Sequence, residues 1–301
     1  MRRKLRNLPR RCRYQHTELT VRAGIRSRKP ELRDSCAIQS AVWNFATNSA
    51  PARFYNRAMP DHICPGHIGI VACSYEGAAL CYRTICAEGV AILGAHAHPE
   101  ITIHTPSFAG YMELIERGDW QGVGEMMLTS ANKLAQAGAD FLICPDNTIH
   151  QALPYIAPRS PRPFLHIAEV VAKSAVERGF RRLALTGTRW LVVSDVYPEK
   201  LRAHGLDFLR PNADERQEIN RIIMHELTYG IIKPEAVATF QQIIGRMKAE
   251  GCDAVVLGCT EIPLLMNDAN SPLPVLDSTR LLARAALRRA TQGETAPVQI
   301  S

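Results

Sequence analysis

The same pattern of residues occurs twice in this chain, as AGADFLICPDNT at residues 137–148 and as EGCDAVVLGCTE at residues 250–261. Each copy follows an amphipathic stretch, turns on a glycine and continues as a short apolar run that is typical of a buried strand. Each run ends in a polar trio, and the two trios are Asp146-Asn147-Thr148 and Cys259-Thr260-Glu261. Self-similarity of this kind predicts two copies of one structural unit.

The similarity between the two copies extends to the strands that precede them. The run HIGIVAC at residues 67–73 and the run RRLALTG at residues 181–187 are matching opening strands, because each lies at a similar distance before its polar trio. Short apolar runs that alternate with amphipathic helical stretches are typical of parallel sheets covered by helices. We therefore predict an α/β protein with two pseudo-symmetric parallel-sheet lobes that face one cleft.

The repeat also predicts the domain boundaries. We expect the first α/β lobe at residues 66–166 and the second at residues 167–276, with a C-terminal helix at residues 277–291 that packs back on the first lobe. Ligands of open parallel sheets bind beyond the carboxyl ends of the strands. Both polar trios lie at such ends, so we expect them on opposite sides of the cleft.

The charge of the chain is unevenly distributed. Residues 1–58 contain 14 Lys and Arg against 3 Asp and Glu, whereas the rest of the chain contains 22 against 26. The net charge of +7 therefore stems from the first 58 residues and does not predict a nucleic-acid partner for the rest. This basic extension fits a disordered tail, an organelle transit peptide or an over-extended start before Met59, and in each case we expect it to be dispensable.

The sequence lacks the patterns of several other classes of protein. No apolar run approaches the ~18 residues of a membrane-spanning helix, and the nine cysteines form no CxxC pair. Neither a phosphate-binding glycine loop nor a lysine context typical of pyridoxal phosphate occurs. His96, His98 and His104 lack the further ligands of a metal site. We therefore expect a cytoplasmic protein with no cofactor, no metal and no membrane partner.

Two segments, ADFLICPDNTIH (residues 139–150) and GCTEIPLL (residues 258–265), resemble the aspartate/glutamate racemase family of cofactor-independent amino-acid racemases. The resemblance covers roughly residues 67–290, and three shorter segments support it: PFLHIAE, LTGTRW and VYPEKL. It implies two α/β lobes that each supply one catalytic residue to the α-carbon of the substrate. It also maps the second-lobe catalytic cysteine of the family onto Cys259, and it implies that a homodimer can form.

The first lobe departs from the commonest pattern of the family. Many members have a cysteine directly before Asn-Thr, where this chain has Asp146, and the nearest cysteine is Cys144, two residues earlier. Asp146 is therefore a candidate second base or electrostatic partner, although aspartate is also a favoured N-terminal cap of a helix. Cys144 is the alternative second base, because residues two positions apart share a face of an extended strand.

Other polar residues at the strand ends are candidate substrate ligands. The resemblance implies that residues of the two trios hydrogen-bond the substrate carboxylate, and two further residues occupy matching loops after the opening strands. The candidate substrate-binding residues are Asn147, Thr148, Thr260, Glu261, Ser74, Thr188 and His166. For the substrate side chain the sequence leaves four unranked candidates: Arg83, Arg189, Tyr197 and Lys200.

These features together predict the racemisation of a small acidic amino acid of the aspartate or glutamate type. One group would remove the α-proton and a second group on the opposite face would return one, without a cofactor. Two alternatives remain open: a one-thiol decarboxylase or isomerase of the same superfamily, and a non-catalytic amino-acid-binding protein. The expected partner is in each case a small molecule.

Overall fold

The computed structural model describes residues 65–292, and the predicted basic extension at residues 1–58 lies outside this range. The first half of the described range contains β1 (Ile68–Val71), α1 (Tyr75–Leu93), β2 (Ile101–His104), α2 (Phe108–Arg117), α3 (Trp120–Gln136), β3 (Phe141–Ile143), α4 (Leu153–Ile156) and β4 (Phe164–Leu165). The second half contains α5 (Ile167–Glu177), β5 (Arg182–Gly187), α6 (Arg189–Val193), α7 (Val196–Ala203), β6 (Asp207–Leu209), α8 (Ala213–His225), α9 (Pro234–Ala249), β7 (Ala254–Gly258), β8 (Val275–Asp277) and α10 (Ser278–Gln292).

The eight strands form two four-stranded sheets with the same topology. The strand order is β2-β1-β3-β4 in the first sheet and β6-β5-β7-β8 in the second, and every pairing is parallel. Each opening strand, β1 or β5, is therefore central and lies beside the strand that carries a polar trio. This architecture confirms the predicted α/β class with two similar parallel-sheet lobes.

Alternation of side chains along the strands gives each sheet two apolar faces. In β7, for example, Val255 and Leu257 pack on α8 and α9, whereas Ala254 and Val256 pack on the side of α5 and α7. The first sheet has the same arrangement, with α2, α3 and α4 on one face and α1 on the other. Both sheets are thus buried on both faces, as parallel sheets generally are.

The helix that follows the last strand of each sheet packs on the other sheet. Helix α10 follows β8 of the second sheet, but its apolar side packs on β1 and α1 of the first, through residues that include Leu282 and Ala286. Helix α5 follows β4 of the first sheet, but Val171 and Ala175 pack on Leu183 and Leu185 of the second. The two sheets therefore share their covering helices within one compact unit.

The sequence pattern does not predict β2 and β6, which are two of the four edge strands. Both are short and only partly buried, since the side chains of β2 are half-buried or exposed and Asp207 opens β6 at the surface. An edge strand packs on fewer neighbours than a central strand, so its sequence needs no continuous apolar run. Within residues 65–292, no helix is long and apolar enough to cross a membrane.

Two glycines allow β5 and β7 to approach closely beside the polar trio of the second lobe. Gly187 and Gly258 lie opposite each other in the β5–β7 pair, and Gly187 has a φ of 152°. A Cβ atom at Gly258 would overlap with the carbonyl oxygen of Thr186 and would lie 2.7 Å from Cδ2 of Leu191. The strand ends that carry the trio therefore depend on the absence of a side chain here.

We predict that Gly258→Ala lowers the free energy of unfolding by about 1–3 kcal/mol, the usual cost of overpacking a core. The control is Gly245→Ala in α9, where a Cβ atom meets nothing within 4 Å and where alanine should stabilise the helix by about 0.5–1 kcal/mol. Urea unfolding of both variants measures the two effects. Equal stability of Gly258→Ala and the wild type would contradict the close approach.

Candidate active site

A cavity lies where the carboxyl ends of β1, β3, β5 and β7 face one another. Its empty volume is about 440 Å³ including space open to solvent, and the part wide enough for the centres of water molecules is about 30 Å³. The polar residues that line it are Cys73, Ser74, Asp146, Asn147, Thr148, Thr188, Thr228, Cys259, Thr260 and Glu261. The interior is therefore narrow, and both predicted trios contribute to it.

Two pairs of hydroxyl groups connect the lobes across this cavity. The Ser74 and Thr260 hydroxyl oxygens are 3.1 Å apart, and those of Thr148 and Thr188 are 2.8 Å apart. Ser74 also accepts a hydrogen bond from a backbone N–H as the N-cap of α1, and Thr188 does the same for α6. The caps that begin the helix after each opening strand thus also join the two lobes.

Cys259 lies directly after β7 and forms a thiol–carboxylate pair with Glu261. The Cys259 thiol donates a hydrogen bond of 2.9 Å to Oε2 of Glu261, which also accepts a hydrogen bond of 2.7 Å from the Thr260 hydroxyl. Burial raises the pKa of the Cys259 thiol well above its ordinary value, and the charges of Glu261 and Asp146 add to this effect. At neutral pH the free site therefore holds Cys259 as a thiol beside a carboxylate that orients it.

Asp146 is a partly buried carboxylate on the first-lobe side of the cavity. Its Oδ1 accepts backbone hydrogen bonds from Thr148 at 3.1 Å and from Ile149 at 3.4 Å. Burial and then the charge of Glu261 raise the pKa of Asp146 to about 6, although the two backbone hydrogen bonds oppose the shift. Asp146 thus caps the following turn and also supplies a carboxylate that titrates near neutral pH.

A second thiol, Cys73, completes the first-lobe side and was not among the predicted site residues. It lies between the end of β1 and Ser74 and lines the same cavity as the Asp146 carboxylate. Burial, followed by the charge of Asp146, raises the pKa of this thiol well above its ordinary value. The signal that could have found it is its position at the end of the opening strand that neighbours β3.

Cys144, the alternative second base, does not line the cavity. Its side chain is fully buried in an apolar cluster with Val71 and Tyr111, and its thiol donates to the carbonyl oxygen of Asp146 at 3.6 Å. The argument that placed Cys144 on the same face as Asp146 required an extended strand, but β3 ends at Ile143. Short 3₁₀ turns follow both trios, at Thr148–Ala152 and Ile262–Leu264.

Two further predicted ligands have other contacts in the structure. The Asn147 amide donates to the Ser278 hydroxyl at 3.0 Å and accepts from the Tyr197 hydroxyl at 2.6 Å, so this side chain links the lobes. His166 lies outside the cavity lining and contacts His150 edge to face, with ring centroids 4.8 Å apart. Its pocket is a separate one that also includes Lys200.

The four candidates for the substrate side chain all lie outside the cavity lining. Arg83 belongs to another surface pocket, and the Arg189 guanidinium stacks on the Trp190 ring at 4.4 Å. Lys200 pairs with Glu199 at 2.8 Å, and Tyr197 is buried against Asn147. Among residues 65–292 no group of three or more His, Cys, Asp or Glu is arranged to hold a metal ion.

The sequence pattern of the Asp/Glu/Hydantoin racemase family matches residues 70–286, so the chain belongs to this family. The family, the two-lobed fold and the paired strand ends place the protein among amino-acid racemases, which are isomerases.

Individual relatives agree with this assignment. The broad specificity amino-acid racemase RacX of Bacillus subtilis (strain 168) is 23% identical over 172 residues, which are 56% of this chain and 73% of RacX. A Yersinia pestis protein described as a candidate Asp/Glu racemase has a solved structure with 31% identity and a TM-score of 0.69, covering 75% of this chain and 99% of that one. An aspartate racemase homologue from Pyrococcus horikoshii OT3 is 28% identical with a TM-score of 0.65, over 74% and 98% of the two chains.

We predict that Asp146→Asn stabilises the protein at neutral pH, because asparagine keeps the capping oxygen and removes a partly buried charge. The raised pKa means that the folded state binds the Asp146 proton more tightly than the unfolded chain does. Ionisation of Asp146 therefore costs stability as the pH rises from about 4, the ordinary range of an aspartate. The loss of unfolding free energy is complete above about pH 6 and reaches at most about 3 kcal/mol.

Urea unfolding of the variant and the wild type between pH 4 and pH 8 measures this difference. The control is Asp119→Asn, because Asp119 is the exposed N-cap of α3 and accepts a backbone hydrogen bond from Gly122 in the same way. We expect the control to show no gain that grows with pH. A constant difference between Asp146→Asn and the wild type across this range would contradict the raised pKa of Asp146.

Proposed function

We propose that this protein racemises an amino acid without a cofactor, using Cys259 and Asp146 on opposite sides of the cavity. The observation that carries this proposal is that the two residues occupy equivalent positions after β7 and β3, one in each lobe, and line the same cavity. Proton removal from one face of a carbon and return to the other face requires such a pair. Membership of the racemase family and similarity to RacX support the same reaction.

The two groups exchange protons with the α-carbon in one balanced step. For the enantiomer whose α-hydrogen faces Asp146, the carboxylate takes this proton and the Cys259 thiol gives its own proton to the opposite face. The product is the mirror image, and the enzyme is left with a protonated Asp146 and a Cys259 thiolate. The other enantiomer reacts with this second form, and proton exchange with water restores the first.

The partners of the two groups fit these roles. A carboxylate with a pKa near 6 is a stronger base than an ordinary aspartate and still ionises near neutral pH, as general base catalysis favours. Two backbone N–H groups position the Asp146 carboxylate, and the Glu261 carboxylate positions the Cys259 thiol. The Cys73 thiol lines the cavity on the Asp146 side. Each lobe thus supplies one thiol and one carboxylate to the cavity.

The remaining polar groups can bind the α-carboxylate and the amino group of the substrate. Four hydroxyls from the two cross-cavity pairs lie at the strand ends and can donate to a carboxylate whose charge grows in the transition state. Glu261 is the carboxylate left to pair with a substrate ammonium group when Asp146 acts as the base. The groups around the α-carbon can therefore all be held by residues of this cavity.

We predict that Cys259→Ser lowers the racemisation rate by at least about 10²-fold, because a hydroxyl is a much weaker acid than a thiol and does not ionise to a base near neutral pH. Incorporation of deuterium at the α-carbon of amino acids in D₂O, followed by NMR, measures the rate. The matched control is Cys86→Ser, since Cys86 lies on α1 outside the cavity lining, and this variant should keep normal activity. Normal exchange by Cys259→Ser would refute the proposed role of Cys259, and absence of exchange in the wild type would favour a binding protein.

We predict different kcat values for the two enantiomers, because the resting enzyme holds an ionised Asp146 and a protonated Cys259. Only the enantiomer whose α-hydrogen faces Asp146 meets this form directly. The two kcat/KM values must agree, since the equilibrium constant of racemisation is one, and both should rise as the pH rises through about 6, where Asp146 ionises. Initial rates from each pure enantiomer between pH 5 and pH 9 test this. Identical kcat values with no rise near pH 6 would favour a symmetric pair of thiols, with Cys73 in place of Asp146.

A further inference from the structure

The charged groups of the cavity all have the same sign. Asp146 and Glu261 are its only ionisable carboxylates, and the described residues that line it include no Lys, Arg or His. A substrate already brings an α-carboxylate into this narrow space. A second carboxylate on the substrate side chain would lie beside the Asp146 and Glu261 carboxylates with no cation to offset its lost hydration, which is costly in a buried site.

The nearest cations of the two lobes are engaged at other places. Arg189 is exposed and stacks on Trp190, and Lys200 pairs with Glu199 in a different pocket. Arg83 and Arg280 line a third pocket, where Arg280 also pairs with Asp277. A side-chain carboxylate at the strand ends would therefore have to be held by neutral donors alone.

Six of the side chains that line the cavity are apolar, and all six belong to helices. Helix α2 contributes Phe108, Met112 and Ile115, whose spacing of four and three residues places them on one helix face. The second lobe contributes Trp190 from α6 and two residues of α8, which are Ile223 and Met224. The cavity thus has an apolar part, contributed by both lobes, besides the polar floor formed by the trios.

The two methionines make this apolar part adaptable. Met112 and Met224 are partly exposed at the cavity, one from each lobe, and a methionine side chain can adjust its shape to different apolar partners. Burial of an apolar side chain against such a surface lowers the free energy of binding. The same surface offers no hydrogen bond to a charged group. The polar floor fits the invariant part of an amino acid, and the apolar part fits its side chain.

We propose that the substrate of this site is an amino acid with an uncharged apolar side chain, such as methionine or leucine, and not aspartate or glutamate. This inference rests on the racemase function proposed above and departs from the acidic substrate that the sequence predicts. The specificity-determining residues are then those of the apolar part, Met112 and Met224 above all.

The test measures α-proton exchange in D₂O by NMR for both enantiomers of methionine, leucine, aspartate and glutamate. We expect kcat/KM for methionine or leucine to exceed that for aspartate and glutamate by at least about 10²-fold. An apolar pocket discriminates by about this factor against a side chain that carries one extra hydroxyl, and a charged carboxylate fits such a pocket less well. Arg189→Ala should leave this ratio unchanged, because Arg189 does not line the cavity.

A variant that introduces a positive charge tests the same inference in the opposite direction, because it should improve the use of acidic amino acids. Met112→Lys places an ammonium group in the apolar part and should raise the ratio of aspartate to methionine kcat/KM by at least about tenfold. Met224→Lys provides the same change from the other lobe if the first variant fails to fold. The matched control is Met126→Lys in α3, outside the cavity lining, which should leave the ratio at the wild-type value.

The outcomes separate the substrate class from the reaction itself. Exchange of aspartate or glutamate by the wild type at a kcat/KM equal to or above that of methionine and leucine overturns the inference and leaves the racemase function intact. If the wild type prefers aspartate or glutamate and Arg189→Ala loses this preference, Arg189 is the cation that binds the side-chain carboxylate. Absence of exchange with every amino acid tested overturns the proposed function and this inference together.

Discussion

The exchange of helices α5 and α10 between the two sheets is the constraint on which the rest of the structure depends. A parallel sheet must be covered on both faces, and here neither sheet is fully covered by the helices of its own half. The sheets therefore cannot separate without exposing the apolar sides of both helices. This shared burial holds the carboxyl ends of four central strands around one cavity.

The sequence repeat predicts the architecture well because each apolar run followed by a polar trio indicates the end of a buried strand. The apolar runs before Asp146 and Cys259 are continuous, since β3 and β7 are covered on both faces, and such runs are visible without a structure. The edge strand β6 opens on an exposed Asp207 and has no comparable signal. The apolar runs therefore predict the central strands and the edge strands β4 and β8, but not the partly exposed edge strands β2 and β6.

The sequence predicts the site less completely than the fold. Side chains alternate between two faces along a strand, but after the strand ends no such regularity gives their direction. Cys144 lies two residues before Asp146, yet β3 ends at Ile143, before both residues, and the Cys144 thiol lies in an apolar cluster. Cys73 belongs to a different strand and comes beside Asp146 only through the β1–β3 pairing. Asn147 is polar and at the correct place, but tertiary contacts to Tyr197 and Ser278 occupy its amide. These are long-range contacts that spacing along the chain does not contain.

The paired hydroxyls of Ser74 with Thr260 and of Thr148 with Thr188 determine how strongly the site can hold its ligand. These four groups already have hydrogen-bond partners, since each is paired with another hydroxyl and Thr260 also donates to Glu261. Binding of a carboxylate would therefore replace existing hydrogen bonds with charge-assisted ones and would not add new bonds to bare donors. The net gain on binding is therefore smaller than a count of contacts suggests. Because the charge-assisted bonds strengthen as negative charge develops on the reacting carboxylate, the same arrangement favours the transition state over the bound ground state. If these hydroxyls bind the substrate carboxylate as proposed, substrate and product are held weakly, which suits an enzyme whose substrate and product are mirror images with the same functional groups.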